Sequence, residues 1–234
     1  MSNLAIIPAR SGSKRLPNKN MLEFCGHPLL YWTIKTALES KCIDRVVLST
    51  DSIEIMEFGM KNGIEKSKLR PDFLAEDSTP THAVIMNTLA CLADSESYRP
   101  STITLLQPTS PLRNSTDVDL AHQEFSVSSN ADRLVSYTVL PESLHPSKIM
   151  VENNLGFLEE NSIFQKNFSS IESSERVFIR NGAAIYICKS KNISSGILFG
   201  NILGFKMPWF RSVDIDTQED FVLAEALMLH LQKQ

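Results

Sequence analysis

The chain has 234 residues, 42% of them hydrophobic, with 27 acidic and 23 basic side chains and a formal net charge of −4. This composition supports a packed core and excludes global disorder, and the acidic balance argues against a nucleic-acid partner or a membrane-surface role. No apolar run approaches the ~20 residues of a membrane span. No basic-then-apolar leader opens the chain, and Cys25, Cys42, Cys91 and Cys188 form no C-x-x-C pair, so a reducing cytoplasm is the expected location.

In chain order, Leu4 to Ile7 reads as a strand. Leu30, Ile34, Ala37, Leu38 and Lys41 recur at helical spacing, with Pro28 placed for the first turn. Arg45 to Ser49 is a second strand, and Ile53 to Gly63 a second helix that a glycine ends. Thr81 to Ala93 is a third helix, Ser101 to Leu106 a third strand, Asn114 to Phe125 a further helix and Arg133 to Val139 a further strand. Residues 141–178 break the pattern with Asn153-Asn154, Gly156 and a serine-rich stretch. Ala183 to Cys188 is a buried strand and Ile202 to Phe205 a short one. The last helix runs from Thr217 to Leu231, opened by Thr217 with Asp220 three residues on.

Strands alternating with helices of this length imply βαβ units: one α/β domain over 1–234, a three-layer fold with a mostly parallel sheet and helices on both faces. Right-handed crossovers then bring the strand C-termini to one edge, and ligands bind in the crevice beyond it. Three polar exits should face that crevice: Ala9 to Lys14, Ser49-Thr50-Asp51, and Gln107 to Arg113.

The first exit carries Arg10, Lys14, Arg15 and Lys19 with Ser11, Gly12 and Ser13 between them. Its single glycine fits neither the Walker loop nor the dinucleotide fingerprint. Small residues let backbone N–H groups approach an anion, Arg supplies a planar fork and Lys a compact charge. Each cation ~4 Å from a phosphate contributes roughly 4 kcal/mol before desolvation at an effective dielectric near 20. The other reading of the same residues is a solvated basic turn. In Val213-Asp214-Ile215-Asp216, an extended backbone puts both carboxylates on one face. Such a pair suits Mg²⁺; alternatively, Asp216 caps the last helix and Asp214 is a surface charge. Arg180-Asn181-Gly182, at a strand entrance, could grip a carboxylate or form only a turn. Lys148 is an isolated cation in a loop, and His27, His82, His122 and His230 lack metal-ligand spacing and read as structural.

Taken together, Ile7-Pro8-Ala9-Arg10-Ser11-Gly12-Ser13-Lys14-Arg15-Leu16-Pro17-Asn18-Lys19-Asn20, Ser49-Thr50-Asp51, Leu69-Arg70-Pro71, Leu105 to Arg113, Arg180 to Tyr186 and Asp214 to Thr217 resemble one family. It is that of the cytidylyltransferases that activate nonulosonic acids, chiefly the CMP-sialic acid synthetases (N-acylneuraminate cytidylyltransferases). The fold that this resemblance implies is the Rossmann-like one of nucleotide-diphospho-sugar transferases. The implied reaction transfers CMP from CTP to the anomeric hydroxyl of a nonulosonic acid and releases pyrophosphate. Arg10, Ser13, Lys14, Lys19 and Asn20 would belong to the CTP loop, with Arg70 and Thr81 near the nucleotide. Gln107, Lys148, Arg180 and Tyr186 would line the sugar-acid pocket. Asp214 and Asp216 would hold Mg²⁺, with Arg10, Lys14 and Asp214 as catalytic residues. Segment 141–178 would be a dimerisation excursion reaching into the partner's site, so a homodimer is expected. Family members usually carry a second carboxylate-binding arginine shortly before the position of Arg180. Here Ser169 to Glu175 contains none, and the nearest is Arg176. The carboxylate grip then falls to Arg180 and Lys148, and a modified acceptor (legionaminic, pseudaminic or octulosonic acid) stands as the alternative to sialic acid. Outside enzymes, the alternative is a nucleotide-binding protein without turnover.

Overall fold

The computed structural model describes residues 2–160 and 178–233. In chain order, β1 (Asn3–Pro8) is followed by the short antiparallel pair β2 (Glu23–Phe24) and β3 (His27–Pro28), then α1 (Leu29–Glu39), β4 (Arg45–Ser49) and α2 (Ile53–Lys61). α3 (Thr81–Glu96), β5 (Thr102–Leu105), α4 (Ser115–Val127) and β6 (Arg133–Val139) complete the first part. Beyond it lie β7 (Met150–Glu152), β8 (Leu158–Glu160), β9 (Phe178–Arg180), β10 (Tyr186–Lys189), β11 (Ile202–Lys206) and α5 (Gln218–Leu231).

Seven strands form the main sheet in the order β11-β6-β10-β5-β1-β4, with β9 also paired to β6. β1 runs parallel to β4 and β5, and β11 parallel to β6, whereas β10 is antiparallel to both its neighbours. The strand C-termini therefore do not all share one edge. β10 runs the other way and brings its first residue, Tyr186, to the edge where β1 and β5 end. Its hydrogen-bonded part is shorter than Ala183 to Cys188, because Asn181 to Ile185 form an irregular step between β9 and β10, both of which pair with β6.

The alternation along β1 explains the three layers. Ala5 and Ile7 face a core with Leu30 and Ile34 of α1, Ile55 of α2 and Val118 and Phe125 of α4. Leu4 and Ile6 face the other side, with Ile85 and Leu92 of α3 and Ile193. A strand buried on both faces is what a sheet covered by helices requires. A third cluster seats α5, through Phe221, Ala224 and Met228, on Phe24, Leu29 and Ile215.

Local chemistry sets the helix ends. Ser52 caps α2 by accepting from the Ile55 amide at 3.3 Å, and Gly63 follows its end at φ +95°. Asn114 with Asp117 and Thr217 with Asp220 form reciprocal capping boxes at α4 and α5. Pro28 sits just before α1, which ends at Glu39 and leaves Lys41 outside. Cys188 is buried and Cys42 half-buried, and both thiols are free. His122 is buried, its Nε2 2.8 Å from the Thr104 hydroxyl. No helix among the described residues is long and apolar enough to cross a membrane.

β7 and β8 form a separate two-stranded hairpin, exposing Met150, Val151, Leu155, Phe157 and Leu158. Residues 161–177 of the expected excursion, including Arg176, lie outside the described residues.

Candidate active site

Two adjoining cavities occupy the crevice at the ends of β1 and β5. The first, about 350 Å³, is lined by Arg10, Gly12, Ser13, Lys19, Asn20, Arg70, Thr81, Gln107, Asp214 and Asp216, among others. The second, about 410 Å³, is lined by Gln107, Arg180, Gly182, Tyr186, Thr81 and Asp214, among others. Thr81, Gln107 and Asp214 belong to both walls. The topology therefore joins residues 206 positions apart, Arg10 and Asp216.

The opening loop is fastened from three directions. The Ser11 amide and hydroxyl donate to Asp51 at 2.9 and 2.5 Å, tying the loop to the exit of β4. Burial pushes the Asp51 carboxyl up, but these bonds and the Arg70 charge outweigh it and leave its pKa below the ordinary value. The Asn20 side-chain amide donates to the Arg10 carbonyl at 2.9 Å. Lys19, largely buried, donates to the Ile215 carbonyl at 2.6 Å and lies 3.4 Å from Asp216.

The cations are already paired. The Arg10 guanidinium and the Lys14 ammonium (2.8 Å) share Asp77, and Arg10 also donates to the Ala75 carbonyl at 3.2 Å. Hydrogen bonds from Lys14 and then Arg10 hold the Asp77 carboxyl below its usual range. Arg15 and Lys19 share Asp216 in the same way. Lys14 is 84% exposed and touches the cavity only through Asp77. Arg70 is 6% exposed; its amide donates to the Thr50 carbonyl at 2.7 Å, and its guanidinium stands 3.6 Å from Asp51. Burial lowers its pKa against the pull of Asp51.

Val213 to Asp216 is irregular, yet it keeps the alternation: Ile215 is in the core with Val213 packed beside it, and both carboxylates face the first cavity. Thr217, not Asp216, caps α5. Asp214 stands in an enclosed position, where burial pushes its pKa up against the Thr109 hydroxyl, with the Asp216 charge adding to the rise. Its Oδ1 is buried without a hydrogen-bond partner. A Cβ on Gly182 would come within 2.5 Å of the Asp214 carboxyl carbon, and Gly182 has φ +67°, so a side chain is excluded on two grounds.

On the acceptor side, burial raises the Tyr186 pKa while the Arg180 charge opposes it. Asn181 does not enter the cavity. It is 2% exposed and bonded to Ser136 and Ser212, so it holds the step between β9 and β10 instead of gripping a ligand. Lys148 lines neither cavity: its ammonium donates to the Glu142 carbonyl at 2.6 Å. One chain thus brings together every expected site residue except Lys148, with Lys14 at one remove. Asp77 and the buried Arg113 were not singled out in the sequence. Asp77 sits in a polar turn with no periodic signal. Arg113, donating to the Gln107 and Ser110 carbonyls at 2.8 and 2.7 Å, shapes the Gln107 loop from behind. Burial lowers its pKa to about 9.

Residues 4–182 match the family model described as Cytidylyltransferase. The chain is 33% identical to CMP-N,N'-diacetyllegionaminic acid synthase of Legionella pneumophila, covering 97% of each sequence. It is 31% identical to pseudaminic acid cytidylyltransferase of Campylobacter jejuni, over 97% of this chain and 96% of the relative. Against N-acylneuraminate cytidylyltransferase of Escherichia coli the identity is 34%, over 94% of this chain and 51% of that protein. In three dimensions it is similar to CMP:2-keto-3-deoxy-manno-octonic acid synthetase complexed with CTP: TM-score 0.72, 18% identity, all of both chains covered. That likeness supports the fold. With the family model spanning most of the sheet and relatives above 30% identity along nearly the whole length, the chain belongs to the cytidylyltransferase family, a family of nucleotidyltransferases.

Proposed function

We propose that this chain transfers CMP from CTP to the anomeric hydroxyl of a nonulosonic acid, releasing pyrophosphate. The observation that carries the reading is the shared wall. A cation-lined cavity and a second cavity holding Arg180, Gln107 and Tyr186 meet at Thr81, Gln107 and Asp214. A donor bound in the first and an acceptor in the second would react where the walls join. Three relatives named for legionaminate, pseudaminate and N-acylneuraminate supply the acceptor class.

Arg10 and Lys14 bind the β- and γ-phosphates once Asp77 gives them up, and stabilise the charge that grows on the departing pyrophosphate. Ser13, Lys19 and Asn20 complete the loop. Arg70, whose Nε and Nη2 are buried without hydrogen-bond partners, and Thr81 fix the nucleotide. Gln107, Arg180 and Tyr186 orient the sugar acid, Arg180 on its carboxylate, so that the hydroxyl meets the α-phosphorus in line.

Asp214 and Asp216 suit Mg²⁺. Both offer hard oxygen donors at one wall, and the Asp214 Oδ1 is buried with no partner. Among the described residues no group of three or more His, Cys, Asp or Glu is arranged to hold a metal ion, so substrate oxygens and water would complete the shell, as is usual for this ion. When bound, Mg²⁺ would supply charge to offset that of the phosphates. The Asp214 carboxylate would also accept the proton of the attacking hydroxyl.

The apolar side chains exposed on the β7–β8 hairpin support a homodimer, since a lone two-stranded hairpin is marginal in water. Segment 141–178 would then carry Lys148 to the partner's acceptor cavity. The deciding measurement is pyrophosphate release from CTP with neuraminic, legionaminic, pseudaminic or octulosonic acid. Release that requires both CTP and one of these acids is expected; release from CTP alone, or none with any acid, overturns the reading.

A further inference from the structure

A groove of about 820 Å³, larger than either cavity of the crevice, lies at the opposite edge of the sheet from the candidate active site. Asn3 of β1, Thr102 of β5 and Lys189 of β10 line it, and these are the far ends of the strands whose other ends lead to Pro8, Gln107 and Tyr186. Its charge is distinctive on a molecule of net charge −4. Lys41, Lys189 and Lys191 line it against the single carboxylate of Asp44. None of the three lysines forms an ion pair with a described residue. The Ser190 hydroxyl between two of them is buried without a hydrogen-bond partner. Phe125 and Pro100, both buried, form an apolar floor, and the Lys189 ammonium stands 5.9 Å from the centre of the Phe125 ring.

We infer that this groove is a second ligand site, which takes a small organic phosphate monoester independently of CTP. Three unpaired ammonium groups suit a compact dianion, for which lysine acts as a point charge. The orphan hydroxyl of Ser190 offers a donor whose burial is otherwise uncompensated. The apolar surface suits the organic body of the ligand, as in most small-molecule sites, where a few polar groups fix orientation beside an apolar wall. The inference does not depend on the proposed reaction, because no residue is shared between the groove and either cavity of the crevice.

Calorimetric titration with phenyl phosphate, with inorganic phosphate alongside, tests it on wild type, Arg10→Ala and the double variant Lys189→Glu/Lys191→Glu. The expected result is one equivalent of phenyl phosphate per chain in wild type and in Arg10→Ala. The double variant should bind it at least tenfold more weakly, and wild type should bind inorganic phosphate at least tenfold more weakly. A thermal melt reports whether the charge reversal folds; if it does not, Lys189→Gln/Lys191→Gln should weaken binding in the same direction. Three results overturn the inference: no heat with phenyl phosphate; binding lost in Arg10→Ala but kept in the lysine variants; or equal affinity for inorganic phosphate, which would mark an adventitious ion only.

Discussion

The two halves of the crevice are built differently. The nucleotide half is finished within one chain: its loop is tied to Asp51, to Asn20 and to the Ile215 carbonyl, and its cations are held in advance by Asp77 and Asp216. The acceptor half rests on the irregular step between β9 and β10, and Lys148 stands away from it on an excursion whose apolar residues find no core. Strand ends in a double-faced sheet make a rigid frame, which under the proposed function would serve the step common to every acceptor, while loops would carry what differs between acceptors.

The sharpest break between the halves should come from Arg10→Ala. Removing a preorganised cation from developing charge costs on the order of 10²–10³ in turnover. That loss should appear in kcat with every acceptor, while the melting temperature stays close to wild type because Arg10 is part-exposed and packs no core. A loss confined to one acceptor would show that the loop serves the sugar as well.

Gly182→Ala tests the seam. Its Cβ would meet the Asp214 carboxyl at 2.5–2.7 Å in a backbone conformation that disfavours side chains, so both stability and kcat should fall. A clash with a packed neighbour costs typically 1–3 kcal/mol. In the double variant Gly182→Ala/Asp214→Ala the clash is gone, so stability should recover to within about 1–2 kcal/mol, the cost of a left-handed backbone for an L-residue. Urea titrations of the four proteins measure this. Equal losses in the single and double variants would mean the carboxylate is not what the glycine accommodates.

The acceptor half is sharpened by Lys148→Ala, expected to raise KM for the sugar acid about tenfold and leave KM for CTP unchanged, as loss of one charged contact would. If Lys148 serves the partner's cavity, mixing Arg10→Ala and Lys148→Ala subunits should regenerate intact sites. After random re-pairing about a quarter of all sites would contain both residues, one site in each mixed dimer. Activity that never exceeds the average of the two parents would place Lys148 outside the partner's site.

Much of this was readable in the sequence. The βαβ alternation and the placing of Asp214 and Asp216 on one face follow from periodicities of 3.6 and 2 that burial on a sheet enforces, and Thr217 with Asp220 three residues on marks the start of α5. What could not be read depends on partners distant in the chain. Nothing in Ala183 to Cys188 tells an antiparallel strand from a parallel one when both faces are buried. Asn181 looks like a ligand-binding amide until Ser136 and Ser212 are beside it. Asp77 acquires its meaning only from cations 67 and 63 residues earlier.

A further measurement separates the pH response of the frame from that of the site. His122 lies in the sheet's packing, away from both cavities, with its ring nitrogen on Thr104. Burial lowers its pKa from 6.5 to about 4, with the charges of Asp119 and Asp44 opposing. Above pH 6.5 the ring is neutral in both states and stability is at its full value. As pH falls from 6.5 towards 4 the unfolded chain takes up a proton that the folded chain refuses, so stability drops by up to about 3 kcal/mol. Urea unfolding at pH 7.5, 6 and 5 should therefore show a decline that His122→Gln flattens. Turnover of the two proteins at pH 7.5 should match, since neither half of the crevice contains the ring. If the decline persists unchanged in His122→Gln, the acid sensitivity belongs to other groups.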